Sequence, residues 1–331
     1  MKESEIRPSE IFDEYLSYCK EDIKKIFQNR NNYVNVNCPA CDSNKIIESF
    51  VKDSFKYNFC KTCKTLYVNP LPPQENFRKY YTEGKSVKFW ATDFYKHTEK
   101  SRKEKIFKPR VKLIKKIFRE EIKDNVDVLI DIGAGYGSFC EVAKNSGFFK
   151  EVIAIEPSPP FIEKLKEKKF IVINKFMEDV QKSDFKDFCN YTKLFCTFEL
   201  WEHIYNPGNF LQSIKNVMNK GDYLIITTLN ILGFDLLMLW EKSKSISPPH
   251  HISLFNLDSI QQILRNKGFE IKKAFTPGEL DIDIVRNMNI RFDNRLCNYI
   301  ANESDETFRK RLQEFITQNN MSSHMMIIAK L

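Results

Sequence analysis

The chain has 331 residues, 42% of them hydrophobic, enough for two domains and too apolar for a disordered polypeptide. Its 52 Lys and Arg against 44 Asp and Glu leave a formal charge of +8, compatible with a phosphate-bearing substrate, an acidic glycan or RNA, and selecting none of them. The charged start M-K-E-S-E-I-R-P lacks an apolar stretch behind it, and the longest apolar run, residues 231–240, is broken by Asp235 and too short to span a bilayer; a cytoplasmic protein without a membrane span is expected.

Residues 1–35 read as a helical arm, with Ile11, Tyr15, Leu16, Cys19, Ile23, Ile26 and Phe27 at helical spacing and no chemistry assigned. Residues 36–73 hold Cys38 and Cys41 as C-P-A-C and Cys60 and Cys63 as C-K-T-C, with eighteen residues between the pairs. Each pair can give two thiolates to one tetrahedral ion, and the spacer fits a hairpin carrying them together. This predicts a zinc-ribbon module whose Zn2+ is structural, because four thiolates leave no open position. Cys19, Cys140, Cys189, Cys196 and Cys297 are scattered singly and read as ordinary thiols.

Residues 74–125 read as a connector. Its first part is aromatic (Phe77, Tyr80, Tyr81, Phe89, Trp90, Phe94, Tyr95) and its second a basic amphipathic helix over 101–123. From 126 to 331 strands and helices alternate. Strands are expected at 126–131, 151–156, 170–174, 193–198, 222–228, 269–275 and 324–330, and helices at 137–146, 159–169, 208–219 and 256–267. That alternation predicts an α/β domain with a seven-stranded, mostly parallel sheet and helices on both faces. Insertions at 229–255 and 277–322 have the length of lids or substrate walls.

Three of the ten glycines fall in D-I-G-A-G-Y-G, between the first strand of that domain and its helix. Glycine there allows a tight turn and close approach of a ligand at a helix N-terminus. Glu156 ends the next strand, placed to accept hydrogen bonds from two ribose hydroxyls. Asp131, Gly133, Gly135, Gly137 and Glu156 together resemble the cofactor motifs of class I S-adenosylmethionine-dependent methyltransferases, from about residue 126 to 275. The resemblance implies a Rossmann-like methyltransferase sheet. It also implies a glycine loop around the methionine part of the cofactor and Glu156 on its ribose. It adds Pro157 and Phe198 to the cofactor set, and places Met177, Glu178 and Asp179 where adenine is contacted.

The segment F-E-L-W-E-H-I-Y-N-P, 198–207, is similar to the E-x-x-E-H-x-x-x-P of small-molecule methyltransferases, and S-P-P-H-H-I-S-L-F-N, 247–256, to their H-H-x-S-x-F. Three of the five histidines lie in these two segments. His203, His250 or His251 is therefore a candidate general base, and Glu199, Glu202 and His203 a candidate set for a divalent cation. The Asn/Asp-Pro-Pro-aromatic run of adenine methylases is missing, and Cys196 lacks the neighbours of a cytosine methylase nucleophile.

The cysteine module, followed by L-Y-V-N-P-L-P-P, resembles that of sugar methyltransferases, including deoxysugar C-methyltransferases, where it walls the substrate site. The expected function is methylation of a small molecule, foremost a sugar or nucleotide-sugar in polysaccharide or natural-product synthesis. RNA methylation with the zinc ribbon as RNA grip, and cofactor binding without turnover, are the alternatives.

Overall fold

A computed structural model describes residues 2–331. Its strands are β1 (Ile46–Lys52), β2 (Phe55–Cys60), β3 (Leu66–Val68), β4 (Val128–Ile132), β5 (Glu151–Ile155), β6 (Ile171–Ile173), β7 (Lys193–Phe198), β8 (Tyr223–Leu229), β9 (Ser253–Leu254), β10 (Glu270–Phe275) and β11 (His324–Lys330). The larger sheet has seven strands in the order β10-β11-β8-β7-β4-β5-β6. β4 to β8 run parallel, and β11 lies antiparallel between β8 and β10. This is the expected mostly parallel sheet, with its strands at the expected places.

β4 is buried at every position, as a strand covered on both faces must be. Its side chains alternate: Val128, Ile130 and Ile132 join one hydrophobic cluster, Leu129 the one on the opposite face. β4 has β5 on one side and β7 on the other, so the strand order reverses there. Open α/β sheets bind ligands beyond the carboxyl ends of the strands at such a point.

The basic helix starts earlier than its amphipathic pattern suggests. One rod runs from Lys85 to Ile122 and takes in the aromatic stretch, with π-helical turns at Trp90–Phe94, Lys103–Phe107 and Ile117–Ile122. Its start is fixed from outside: Asp22 accepts the backbone N–H groups of Lys85 and Ser86, both at 2.8 Å, and the Ser86 hydroxyl at 2.6 Å. Asp22 belongs to the N-terminal helix Ser9–Ile26, which packs Phe12 and Tyr15 against Phe94 and Trp90. The arm is thus docked on the rod.

The cysteine module is not a separate body. β1, β2 and β3 form an antiparallel sheet that β9, from the first insertion, completes. Cys38, Cys60 and Tyr67 share a cluster with Ile130, Trp201 and Phe255 of the larger domain. The two insertions also meet: Leu239 of the first packs with Val285 and Ala301 of the second. Among the described residues no helix is long and apolar enough to cross a membrane.

Candidate active site

The glycine loop begins where β4 ends. Gly133, Gly135 and Gly137 have φ of 75°, 52° and 71°, all left-handed, where a side chain is strained. Their surroundings differ. A Cβ on Gly137 would stand 2.5 Å from Leu165 Cδ2, whereas a Cβ on Gly135 would meet nothing within 4 Å. Gly137 is therefore a packing glycine, and Gly135 fronts open space of the kind a bound cofactor needs.

Glu156 follows β5 and is 6% exposed. Its two oxygens accept the backbone N–H groups of Gly135 and Ser158 at 2.8 and 2.9 Å, which ties the loop to the next strand. Burial pushes its carboxyl above the ordinary range. Asp131 is buried more deeply, with the Cys140 thiol at 3.3 Å from Oδ2. Burial pushes Asp131 up to about 7. Phe198, at the end of β7, has the Arg110 guanidinium 4.7 Å from its ring centre. Pro157 follows Glu156 directly. Of the adenine candidates, Met177 is 3% exposed in the core cluster and Glu178 is exposed, on a short 3-10 turn shared with Asp179.

The rod Lys85–Ile122 adds residues the motifs did not announce. Tyr95 stacks on Tyr136 of the glycine loop at 5.6 Å and 9°. Glu99 accepts the Ser138 hydroxyl at 2.9 Å and pairs with Lys103 and Lys168, while Lys168 donates to the Tyr136 carbonyl at 3.0 Å. Against the cost of its burial, these donors hold Glu99 at about 2. The aromatic composition of 74–100 was the one signal for this face, and it did not reveal Glu99.

On the other side of β4 Glu199, Glu202 and three histidines gather. Glu199 sits at φ 52° just past β7, and its Oε1 accepts from Arg110 at 3.1 Å, Thr227 at 2.6 Å and His324 Nε2 at 3.1 Å. Burial opposes its charge, but His324 and Arg110 keep it ionised well below the ordinary range. Glu202 is 2% exposed, and its Oε2 accepts the Thr228 hydroxyl at 2.7 Å. Burial, then the charge of Glu199, pushes it upward. The two carboxyls are driven apart in acidity, a pattern frequent at functional sites.

His203, His250 and His251 come together, each offering a ring nitrogen within 4.8 Å of the others. His203 Nδ1 lies 2.8 Å from the His250 carbonyl and His251 Nδ1 2.6 Å from the Ser245 carbonyl. A carbonyl only accepts, so both rings carry hydrogen on Nδ1 and offer the Nε2 lone pair. Burial lowers His203 and His251 to about 4 and holds His250 well below its ordinary value, so all three are neutral at pH 7. Tyr15, Tyr80 and Tyr81 surround His250 at 6.2, 6.2 and 6.0 Å between ring centres. His250 Nδ1 and the Tyr81 hydroxyl are buried without hydrogen-bond partners. The cation set expected from Glu199, Glu202 and His203 does not form as such. Arg110, Thr227 and His324 engage Glu199, Thr228 engages Glu202, and His203 bonds the His250 carbonyl with the other two imidazoles beside it. Tyr15 was missed because it belongs to the arm, which is distant in sequence.

The four cysteines also converge. Their sulfurs lie within 4.8 Å of one another, with Cys38 to Cys63 at 3.4 Å and Cys41 to Cys60 at 3.6 Å. Around a tetrahedral ion with bonds of about 2.3 Å the sulfurs stand roughly 3.8 Å apart, so this set fits zinc. Each pair closes a turn, Asp42 N–H onto the Cys38 carbonyl and Lys64 N–H onto that of Cys60.

The family model described as "Methyltransferase domain" matches residues 99–274, just over half of the chain. The chain belongs to this family and, with its Rossmann-like sheet and glycine loop, is an S-adenosylmethionine-dependent methyltransferase. Comparison with curated proteins gives no match. Among solved structures it is similar to a SAM-dependent methyltransferase from Archaeoglobus fulgidus, at 20% identity over 69% of this chain and 97% of that one, TM-score 0.42. It is similar to the plantazolicin methyltransferase BpumL in complex with SAH, at 16% identity over 78% of this chain and 98% of that one, TM-score 0.45. A third is the complex between the Haloferax volcanii Trm112 methyltransferase activator and a putative methyltransferase, at 10% identity over 73% of this chain and 95% of the matched one, TM-score 0.46.

Proposed function

We propose that this methyltransferase modifies a small hydroxylated molecule, foremost a sugar or nucleotide-linked sugar, in polysaccharide or natural-product synthesis. The observation that carries the reading is the cluster of three neutral imidazoles under Tyr15, Tyr80 and Tyr81, beyond β7 and β8. Three ring nitrogens beside the unpartnered Tyr81 hydroxyl suit one sugar ring better than a strand of RNA.

When bound, the cofactor supplies a sulfonium methyl that is already an activated electrophile. Asp131, Gly133, Gly135, Glu156 and Phe198 would hold it, while Gly137, assigned to the cofactor loop from the sequence, packs that loop against Leu165. Pro157 and the turn Met177–Asp179 would border its adenosine end. The remaining work is to align an acceptor and take one proton from it. Nε2 of His203 or His251 is free to accept that proton, since Nδ1 of each is tied to a carbonyl. Cys38, Cys41, Cys60 and Cys63 would hold a structural zinc ion.

Incubation with methyl-labelled cofactor, a panel of nucleotide-sugars and short RNAs tests this. Label should appear on a nucleotide-sugar. His203→Gln and His251→Gln should lower kcat by about 100-fold or more while cofactor Kd stays unchanged. Label confined to RNA, or cofactor binding with no transfer to any acceptor, would refute the substrate class. Near-normal turnover in His203→Ala, His250→Ala and His251→Ala alike would refute the base.

A further inference from the structure

We propose that His203, His250 and His251 together bind a divalent transition-metal ion at the acceptor site, separate from the ion of the four cysteines. Three arguments converge. The first is the donor set: three imidazole nitrogens within 4.8 Å of one another. Around an ion with bonds of about 2.0–2.1 Å they would stand roughly 3.0–3.4 Å apart, within reach of small ring rotations.

The second is orientation. Metal-bound histidine almost always donates its other ring N–H to a carbonyl or carboxylate, which fixes the tautomer and aims the free nitrogen. His203 and His251 both do so, onto the carbonyls of His250 and Ser245. Those carbonyls belong to the segment that carries His250 and His251, so one loop supplies two of the donors and both anchors. The loop is itself held in place: the Tyr57 hydroxyl donates to the His251 carbonyl at 2.6 Å, and Ile252 N–H donates to the Glu202 carbonyl at 3.0 Å.

The third is the unpartnered nitrogen. A buried ring nitrogen without a hydrogen bond is destabilising, and His250 Nδ1 is such an atom. A ligand bond satisfies it. Three nitrogen donors leave an open position, the arrangement of catalytic rather than structural sites, so an acceptor oxygen can complete the coordination. Imidazole donors select Zn2+, Fe2+, Co2+ or Ni2+ over Mg2+ and Ca2+.

Ion binding takes up the lone pairs that the general-base reading uses. In its catalytic use the proposal rests on the methyltransferase reading, but binding itself can be scored without cofactor or acceptor. The full chain is stripped with chelator under reducing conditions and titrated with Co2+, followed by absorption spectroscopy and metal analysis. Two equivalents should bind: one with intense thiolate-to-cobalt bands, one with only the weaker bands of a nitrogen and oxygen site. His250→Gln, and separately His203→Gln/His251→Gln, should lose the second equivalent and keep the thiolate bands, which also reports that the cysteine module is folded. A single equivalent in the unmodified chain, or a second that survives both variants, overturns the proposal. Methyl transfer that persists at one bound ion per chain also overturns the catalytic use of the metal and returns the proton to an imidazole.

Discussion

Replacing Gly135 and Gly137 with alanine, one at a time, should separate a ligand-facing glycine from a packing glycine two residues away. Both sit in the left-handed region, at φ 52° and 71°, where alanine costs about 1–2 kcal/mol. At Gly135 that is the whole cost to the fold, because the new methyl meets nothing within 4 Å. At Gly137 the methyl would lie 2.5 Å from Leu165 Cδ2 and 3.6 Å from Phe170 Cε2. Leu165 is fully buried, so the clash adds about 1–3 kcal/mol of overpacking. Gly137→Ala should thus lose about 2–5 kcal/mol in urea unfolding, against about 1–2 for Gly135→Ala. Calorimetric titration with S-adenosylhomocysteine should show the reverse order. Gly135→Ala should weaken binding at least tenfold, by occupying the space the ligand fills. Equal destabilisation of the two variants, or unaltered affinity in Gly135→Ala, would refute the assignment of that space to the cofactor.

Further outcomes follow from other features. Cys60→Ser should release the zinc and loosen a unit whose site supplies on the order of 10–16 kcal/mol of apparent binding energy; metal analysis and near-UV circular dichroism check it, and full zinc retention contradicts it. Asp131 has its folded pKa raised by burial to about 7, so its contribution is intact below about pH 4 and lost as pH rises to 7. Asp131→Asn should therefore raise the unfolding free energy of cofactor-free protein at pH 8, by on the order of 4 kcal/mol, and leave it nearly unchanged at pH 4; equal effects at both pH values in urea unfolding contradict this. Lys193 and Asp222 form an ion pair at 3.4 Å with both side chains buried, and Lys193→Met should cost about 3–5 kcal/mol by leaving Asp222 unpaired. Chemical unfolding measures it, and a loss under 1 kcal/mol would contradict the pairing.

The cofactor side was legible because its parts are local. Asp131, the three glycines and Glu156 lie within one strand-loop-helix-strand unit, and left-handed φ values at the loop demand glycine. The histidine side was legible only as fragments. His203 and the His250-His251 pair stood out as residue types, but their mutual approach depends on a loop folding back across 47 residues. The Arg110–Glu199–His324 contacts span 89 and 214 residues and join three elements with no shared periodicity. Helix boundaries failed for a related reason. The rod begins at Lys85 because Asp22, from a distant helix, caps it, and no local signal at 85 announces that cap.

That same dependence on distant partners gives the cysteine module a role beyond holding itself together. Four thiolates would leave an ion no open position, so any influence on methyl transfer would pass through backbone. The route is short. The carbonyls of Cys63 and Lys64 each accept from Asn256 Nδ2, at 2.8 and 3.1 Å. Asn256 in turn caps the helix that starts at Leu257, its side-chain oxygen accepting the Ser259 N–H. β3 pairs with β9, two residues past His251, and Tyr57 of β2 holds the His251 carbonyl. The His250-His251 segment is therefore clamped by the cysteine-bearing turn on one side and by Glu202 on the other. Asn256→Ala separates this clamp from the metal itself. The variant should keep its zinc and its cofactor affinity, yet lose turnover as His251 leaves its place. Retained turnover with the Asn256 contacts gone would show that the module acts only as a wall, and that the histidine loop holds its position unaided.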